Sequence, residues 1–306
     1  MKKITLSIAL LYGMYGNAQT QIGNGNMEAW ENVGQSTEEP INWNSFKTGT
    51  GSLSSFASKQ IQQSTNIRSG ASGTYCARIY SVSILGAVAN GNMTLGQINM
   101  GSSTPTSASN YNFSKIADAN FSEAITDHPD SIVFWVKFTP ASGSPNARMH
   151  AILHDSYEFR DPIDANSLPH VVARAELNYP STNGQWVRKS VPFVNEGPAS
   201  NVQYLLVSFA TNQTPGGGAA NDEVLIDDVQ LIYNQGAGVE EVKKDAFYAG
   251  YTNGLHISSA DEHFEVIQMN GTVVYSGAPS DLNGRTLHSG LYIIKGNSGA
   301  LKILVP

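Results

Sequence analysis

Side chains that could recognise a ligand recur along three consecutive segments in the middle of the chain. Arg148, His150 and His154 occupy alternate positions of the first segment, whereas Arg174 and Trp186 lie in the next two. Because successive side chains of a β-strand point to opposite faces, this alternation predicts a shared outward face. A flat aromatic ring beside planar hydrogen-bonding groups suits a sugar, whose C–H face stacks while its hydroxyls need partners. The predicted ligand-binding residues are Trp186, Arg148, His150, His154, Arg174 and Tyr157.

Simpler interpretations of these residues stay open. Outward charges on a strand are often no more than a solvated surface, and a tryptophan such as Trp186 is often a core residue of a sandwich. The spacing His150-x-x-x-His154 would place two zinc ligands on one face of a helix. This segment alternates like a strand and no third ligand has a distinctive spacing, so a zinc site is not predicted.

A cluster of carboxylates follows the first of these segments. Asp155, Glu158, Asp161 and Asp164 lie within ten residues of one another, and a glycoside hydrolase needs two carboxylates held a defined distance apart. Turn-forming aspartates explain the same cluster without any catalysis. No G-x-S-x-G motif, phosphate-binding loop or Cys/His pair is present in the sequence. We therefore predict no catalytic residue and keep a glycoside hydrolase as the alternative.

Two adjacent carboxylates, Asp227 and Asp228, lie in the middle of a strongly β-forming stretch, 224–233. Since neighbouring strand residues face opposite sides, one of the two is expected to lean toward the core. A buried carboxylate needs a partner, because an unpaired buried charge is costly.

The elements that must position these residues are short strands. About ten strands with turn-rich spacers are expected between Met27 and Tyr233, with hardly any helical periodicity. The pattern predicts an antiparallel jelly-roll β-sandwich. A second, small β-sandwich is predicted at 247–306, where Asn270-Gly271 is a strong hairpin signal. The predicted fold class is therefore all-β.

The N-terminus predicts export. Positive residues at Lys2 and Lys3 precede a short apolar run, and small residues lead to Ala18, which is typical of a cleaved signal peptide. The run is too short to span a membrane as a helix. The predicted boundaries are a signal peptide at 1–18, a jelly-roll domain at 19–235, a linker at 236–246 and a C-terminal domain at 247–306.

The charge pattern excludes one class of partner. The 306-residue chain has a net charge of −7 and contains no run of Lys and Arg. A nucleic-acid-binding protein normally presents a basic patch, so nucleic acid is not a predicted partner. The single cysteine, Cys76, cannot form an internal disulfide and is expected to be a small buried side chain.

Residues 24–234 resemble the family called the putative carbohydrate metabolism domain. The resemblance rests on G-N-M-E-A-W (25–30), P-I-N-W (40–43), S-G-T-Y-C-A-R-I (72–79), D-S-I-V-F-W-V-K-F (130–138) and G-G-A-A-N-D-E-V-L-I-D-D-V-Q-L-I-Y (217–233). It implies a jelly roll similar to carbohydrate-binding modules. Such jelly rolls often hold one structural calcium between a Glu near the first strand and an Asp in the last. The matching residues here are Glu28 and Asp227, with Asp228 as the alternate.

The C-terminal unit resembles the sorting domain of the type IX secretion system of Bacteroidota. The motifs are F-E-V-I-Q-M-N-G-T-V-V-Y-S-G (264–277), L-H-S-G-L-Y-I-I-K (287–295) and the terminal L-K-I-L-V-P. The usual Tyr-Pro-Asn-Pro opening is absent. The resemblance implies that residues 247–306 contact the secretion machinery and that the protein reaches the extracellular space or the outer-membrane surface.

Taken together, the sequence predicts a secreted or cell-surface protein that binds an extracellular glycan or polysaccharide without catalysis. A structural or adhesive surface protein is the second alternative, and it would have no pocket and no convergent polar groups.

Overall fold

The computed structural model describes residues 19–84, 86–143, 145–233, 247–259, 261–297 and 299–306. The chain divides into two compact units, Met1–Asn234 and Gln235–Pro306. The signal peptide predicted at 1–18 and the linker predicted at 236–246 lie outside the described residues. Among the residues that are described, no helix has the length and apolar character needed to cross a membrane.

The first unit is built from many short strands. In chain order these are β1 (Trp30–Glu31), β2 (Glu39–Pro40), β3 (Ile61–Ser64), β4 (Cys76–Tyr80), β5 (Val82–Ile84), β6 (Ala87–Ala89), β7 (Asn92–Thr94), β8 (Gln97–Met100), β9 (Asn110–Phe113), β10 (Glu123–Ala124), β11 (Ser131–Thr139), β12 (Ala147–His154), β13 (Arg160–Asp161), β14 (Val171–Tyr179), β15 (Val187–Pro192), β16 (Val194–Asn195), β17 (Tyr204–Ala210) and β18 (Glu223–Ile232). Short 3-10 helices occur at Phe46–Thr48, Ser54–Phe56, Ala119–Phe121 and Leu168–His170.

Two antiparallel sheets form the sandwich. The six-stranded sheet has the order β10-β17-β12-β14-β16, with β7 also paired to β17, and the five-stranded sheet has the order β15-β11-β18-β4-β3. Side chains from both sheets meet in one apolar core, in which Phe134 packs edge-on against Phe209 with ring centroids 5.1 Å apart. The alternation of β12 is as predicted, since Met149, Ala151 and Leu153 face this core. The predicted jelly-roll β-sandwich is confirmed.

The two ends of the first unit lie together. The Val229 N–H donates to the Gly25 carbonyl at 2.7 Å, and the Gln21 side chain exchanges two hydrogen bonds with the backbone of Leu231. A side chain at position 25 would clash, because a Cβ built there lies 2.2 Å from the Val229 carbonyl oxygen. The opening segment is thereby held against β18.

The prediction that one of the two adjacent aspartates leans toward the core is wrong. The register between β11 and β18 shifts between the pairs Val133–Gln230 and Trp135–Asp227, which makes Asp228 part of a β-bulge. Asp228 adopts a left-handed conformation with φ 47°. The extra residue lets Asp227 share the outer face with Trp135 while Val229 returns to the core.

A third, smaller sheet covers part of the outer face of the six-stranded sheet. It has the order β13-β9-β8. A separate apolar cluster lies beneath this layer and the loop before it, formed by Ile152, Phe159, Val171 and Leu206. The outward face of β12 is therefore buried in places, although strand alternation alone predicts that it meets solvent.

The second unit is a small β-sandwich. Its strands are β19 (Phe247–Tyr251), β20 (Leu255–Ser259), β21 (Phe264–Gln268), β22 (Val273–Gly277), β23 (Gly290–Gly296) and β24 (Gly299–Val305), with one short helix, α1 (Pro279–Leu282). β19 pairs with β20, and the other four form a sheet of order β22-β21-β23-β24. The hairpin predicted at Asn270-Gly271 connects β21 to β22. Phe264, Val266, Tyr292 and Ile294 contribute to its own core.

Candidate functional site

A cavity of about 640 Å³ opens on the outer face of the six-stranded sheet. Its floor is formed by β7, β12 and β17, and its sides by β8 and β9, the β5–β6 hairpin, and the loop that follows β17. A volume of this size is typical of small-molecule sites in proteins. We call this cavity the Arg148 cleft after the cation on its floor.

The strand register brings the floor residues together. Arg148 pairs with Ala210, and Ala210 pairs in turn with Asn92, so the three residues form one row across β12, β17 and β7. Ser208 lies in the next row, opposite His150. Directly paired residues of antiparallel strands share a face, which is why Arg148, Asn92 and Ser208 all reach the cleft.

A hydrogen-bonded histidine–aspartate pair lies at one side of the floor. His150 Nδ1 lies 3.0 Å from Asp161 Oδ1, and the Ser208 hydroxyl donates to Asp161 Oδ2 at 3.2 Å. Burial by itself raises the pKa of Asp161, but His150 and then Arg148 outweigh it and hold that pKa at about 2. Asp161 is therefore a carboxylate at neutral pH, so the proton on His150 Nδ1 donates to it. An acid of this strength is unsuited to protonate a leaving group.

Arg148 has the Glu176 carboxylate beside it as an opposite charge and is not an isolated cation. Its Nη2 lies 3.1 Å from His150 Nδ1, and its Nε lies 3.2 Å from Glu176 Oε1. Within the described lining of the cleft, the charged side chains are Arg148 and Asp161, which carry opposite signs. The arrangement favours a neutral ligand over a strongly charged one.

Amide groups supply hydrogen-bonding capacity that the protein itself does not use. The Asn92 amide donates to Asn112 Oδ1 at 2.8 Å, and the Asn90 amide donates to the Thr214 carbonyl at 2.9 Å. The side-chain oxygens of Asn90 and Asn92 are buried and accept no hydrogen bond from any described residue. Buried acceptors without a donor are rare and costly, and a rotation of either amide into the cleft would let a ligand hydroxyl supply that donor.

The structure brings only part of the predicted ligand-binding set to the cleft. Arg148 lines the cleft, and His150, which is 3% exposed, lies beneath it in contact with Asp161. Arg174 is paired with Glu196 and is absent from the lining.

Two further predicted residues are enclosed by other contacts. His154 is fully buried between the rings of Phe159 and Tyr204. Tyr157 is stacked on His170, with ring centroids 4.0 Å apart. Neither residue lines the cleft.

The predicted single face, with Trp186 as its aromatic platform, is therefore incorrect. Trp186 directly precedes β15, which pairs with β11 in the five-stranded sheet, whereas Arg148 and Arg174 lie on β12 and β14 of the six-stranded sheet. Segments that follow one another in the sequence are distributed between two sheets, and alternation within a strand cannot reveal that distribution.

Several cleft residues were not predicted from the sequence. Asn90, Asn92, Asn112 and Ser208 are common loop or strand residues with no distinctive spacing. In the sequence, Asp161 stands out only as one member of the acidic cluster. Their convergence depends on non-local strand pairing, for which the sequence carries no local signal.

The other acidic residues of that cluster are dispersed. Asp155 pairs with His170, and Asp164 accepts the Ser167 N–H at 2.7 Å. Asp161 is the sole carboxylate in the described lining of the cleft. A two-carboxylate arrangement of the kind that glycoside hydrolases use is thus not assembled by the residues described there.

The residues predicted to hold calcium lie near one another on the outer face of β18. Asp227 is 2% exposed, and burial, followed by the neighbouring Asp228 carboxylate, raises its pKa to about 7, with Glu28 acting in the same direction. Asp228 is paired with Arg68, while Glu28 Oε1 accepts the N–H groups of Thr74 and Tyr75.

A cation would suit Asp227 and Glu28 better than Asp228. A cation beside Asp227 would offset the repulsion between its carboxylate and the nearby Asp228 and Glu28 carboxylates. Asp228, in contrast, already has Arg68 as a partner. Across the described chain, no group of three or more His, Cys, Asp and Glu side chains is arranged to hold a metal ion. Backbone oxygens would have to complete such a site, as they do in many calcium sites.

Comparisons with known proteins show the fold. No family model matches the sequence, and no curated protein matches it. The structure is similar to a protein from Bacteroides thetaiotaomicron described as a "putative glycoside hydrolase", with a TM-score of 0.52 and 16% identity over 68% of this chain and 70% of that one. At this identity the likeness establishes a shared architecture.

Two further solved structures match with lower scores. A protein from Bacteroides vulgatus, also described as a "putative glycoside hydrolase", has a TM-score of 0.46 and 14% identity over 71% of this chain and 95% of that one. The family 11 carbohydrate-binding module of a Clostridium thermocellum cellulase has a TM-score of 0.28 and 12% identity over 67% of this chain and 95% of that one.

Proposed function

We propose that the first unit binds a saccharide in the Arg148 cleft without chemically changing it. The observation that carries this proposal is the cleft floor, where Arg148, Asp161 and Ser208 lie beside the amides of Asn90 and Asn92, whose side-chain oxygens have no donor among the described residues. A ligand that presents several hydroxyl groups at fixed spacing satisfies such acceptors and also donates to a carboxylate. Saccharides are the common molecules of that kind.

Binding without catalysis is favoured over hydrolysis by the chemistry of the floor. The carboxylate in the described lining, Asp161, stays ionised and is already engaged by His150 and Ser208. Retaining and inverting hydrolases both need two carboxyl groups, and one of the two must be protonated so that it can act as the acid. Release of reducing sugar from a bound polysaccharide would overturn this part of the proposal.

We further propose that the protein is exported and acts outside the cell or on the outer-membrane surface. The support is the charged and apolar pattern of residues 1–18 together with the sorting-domain motifs within 247–306. In this proposal the second unit contacts the secretion machinery and takes no part in ligand binding.

A structural calcium at Asp227 and Glu28 is the remaining proposal. It is supported by the buried carboxylate of Asp227, which lies among other acidic groups. The ion would join the opening segment to β18, and its role would be to stabilise the fold.

Ligand binding is tested first on a glycan array and then by calorimetry with the full chain. Arg148→Ala is expected to weaken the affinity of the bound glycan at least tenfold, because a charged hydrogen bond is worth about 1.5–3 kcal/mol. Ser208→Ala, a smaller change, is expected to weaken it less.

Arg174→Ala is the matched control, since Arg174 lies on the neighbouring strand and outside the cleft. Trp186→Ala is a second control on the other sheet. Equal losses for Arg148→Ala and Arg174→Ala, or a loss confined to Trp186→Ala, would contradict the cleft as the binding site.

A further inference from the structure

One wall of the Arg148 cleft is apolar and consists largely of aliphatic side chains. Leu53 and Met100 are held together by the hydrogen bond from the Leu53 N–H to the Met100 carbonyl at 3.0 Å. Phe56 belongs to the same turn, and Ile84 and Val88 come from the β5–β6 hairpin. The hairpin is held in place by the Gln60 amide, which donates to the Ala89 carbonyl at 2.9 Å.

This wall exposes apolar surface that the described protein does not cover. The Phe56 side chain is 55% exposed, and Leu53, Ile84 and Val88 are each half-buried. When a ligand covers apolar surface of this kind and removes it from water, the binding free energy becomes more favourable. Phe56 is the one ring among these five wall residues, and the other four are aliphatic chains with no flat face, so the wall as a whole matches an alkyl or acyl chain better than a pyranose.

The opposite side of the same cleft is polar and carries no net charge. Arg148, Asp161 and Ser208 lie on the floor, and Asn90 and Asn92 hold the unpartnered acceptors. A single ligand that fills the cleft must therefore present hydroxyl groups at one end and a hydrocarbon at the other.

We infer that the Arg148 cleft binds a neutral saccharide that carries an acyl or alkyl chain. The sugar lies on the floor, and the chain lies along Leu53, Phe56, Ile84 and Val88. This inference rests on the proposed function, since it names the class of saccharide that the same cleft takes. The polar floor alone would not distinguish a substituted sugar from an unsubstituted one.

The test is a series of alkyl glycosides of increasing chain length, measured by calorimetry with the full chain below their micelle-forming concentrations. Methyl, butyl and hexyl glycosides of glucose, galactose, mannose and xylose are compared, with 1-hexanol as the probe that lacks a sugar. A buried methylene contributes about 0.8 kcal/mol, so each added methylene is expected to improve the affinity about three- to fourfold.

Variants separate the two ends of the ligand. Phe56→Ser and Ile84→Ser are expected to reduce the gain per methylene and to weaken the hexyl glycoside by a larger factor than the methyl glycoside. Ser208→Ala is expected to weaken all members of the series by the same factor. Leu168→Ser is the matched control, because Leu168 is 59% exposed, close to the 55% of Phe56, and does not line the cleft.

The outcomes distinguish the inference from the function on which it rests. Equal affinity for the methyl and hexyl forms would overturn the inference and leave saccharide binding intact. Binding of 1-hexanol as tight as that of the hexyl glycosides would overturn both proposals, as would failure of every glycoside to bind. A chain-length gain that Phe56→Ser removes and Leu168→Ser retains would support the inference.

Discussion

The charge of Asp161 organises the cleft floor through its immediate contacts. One carboxylate oxygen accepts from His150 and the other from Ser208, and Arg148 lies close to the same histidine nitrogen. These partners keep a nearly fully buried acid ionised. A charge fixed in this way can orient a ligand hydroxyl without moving when the ligand arrives.

Asp161→Asn removes that charge and is expected to destabilise the first unit. Taking away one partner of a buried pair leaves His150 without its carboxylate and Arg148 with Glu176 as its neighbouring opposite charge, at a cost of about 3 kcal/mol in the free energy of unfolding. Asp164→Asn is the matched control because Asp164 is partly exposed, and its pair with Arg160 contributes less than about 1 kcal/mol. Denaturant unfolding measures both variants, and similar losses would contradict the special role of Asp161.

His154 makes the stability of the first unit depend on pH. Burial lowers the pKa of His154 to about 4 from 6.5. Between pH 6.5 and pH 4, His154 is protonated in the unfolded chain but neutral in the folded protein. The free energy of unfolding therefore falls as the pH falls from 6.5 to 4. The expected loss is on the order of 3 kcal/mol.

The measurement compares unfolding of the wild type and His154→Gln across that pH range. An amide at 154 can still meet Ser114, which lies 2.8 Å from His154 Nε2, but it does not titrate. The His154→Gln variant should be less stable than the wild type at pH 7, and its free energy of unfolding should change less between pH 7 and pH 4. His128→Gln is the control at an exposed site. Parallel pH profiles for wild type and His154→Gln would contradict the assignment.

At the scale of single elements, the bulge in β18 decides what its two aspartates can do. A regular strand would direct one carboxylate into the core. The extra residue at Asp228 instead keeps Asp227 on the outer face beside Trp135, next to the opening segment that carries Glu28. The bulge thus creates the acidic position at which we propose a calcium ion.

Calcium is expected to raise the melting temperature of the wild type. At a free concentration a hundredfold above the dissociation constant, the ion would add about 2.7 kcal/mol. For a domain of this size that corresponds to a shift of about 5–10 °C. Differential scanning calorimetry with calcium and with a chelator measures the effect.

Variants locate the proposed ion. Asp227→Asn and Glu28→Gln should abolish the shift, whereas Asp228→Asn should keep most of it because Asp228 is paired with Arg68. A melting temperature that does not change between calcium and chelator in the wild type would dismiss the site.

At the scale of the whole molecule, the two units are expected to have separate functions, ligand binding for the first and secretion for the second. Each has its own apolar core, and their hydrophobic clusters share no residue. An independently packed unit can be removed without exposing the core of the other. The ligand cleft lies entirely within the first unit.

Deleting residues 247–306 is expected to leave the first unit folded and able to bind ligand but retained inside the cell envelope. Cell fractionation with an antibody against the first unit measures where the protein accumulates. Normal export of the shortened chain would refute the proposed sorting role.

The sequence by itself determined the fold class and the way the strands alternate. Apolar and polar side chains with period two identified β12 and β14, and Asn270-Gly271 identified a hairpin. These signals are local, because a strand must bury one face and a tight turn needs residues that tolerate positive φ.

Only the tertiary structure decided which residues meet. Arg148 and Asn92 share the cleft floor because their strands, β12 and β7, both pair with β17. Asp161 comes to the same floor from the smaller sheet that covers it, and strand periodicity does not predict that sheet. Trp186 lies near Arg148 in the sequence, yet its segment joins the other sheet. Pairing between distant strands depends on how the whole sandwich buries its apolar surface, so no local pattern could have located the site.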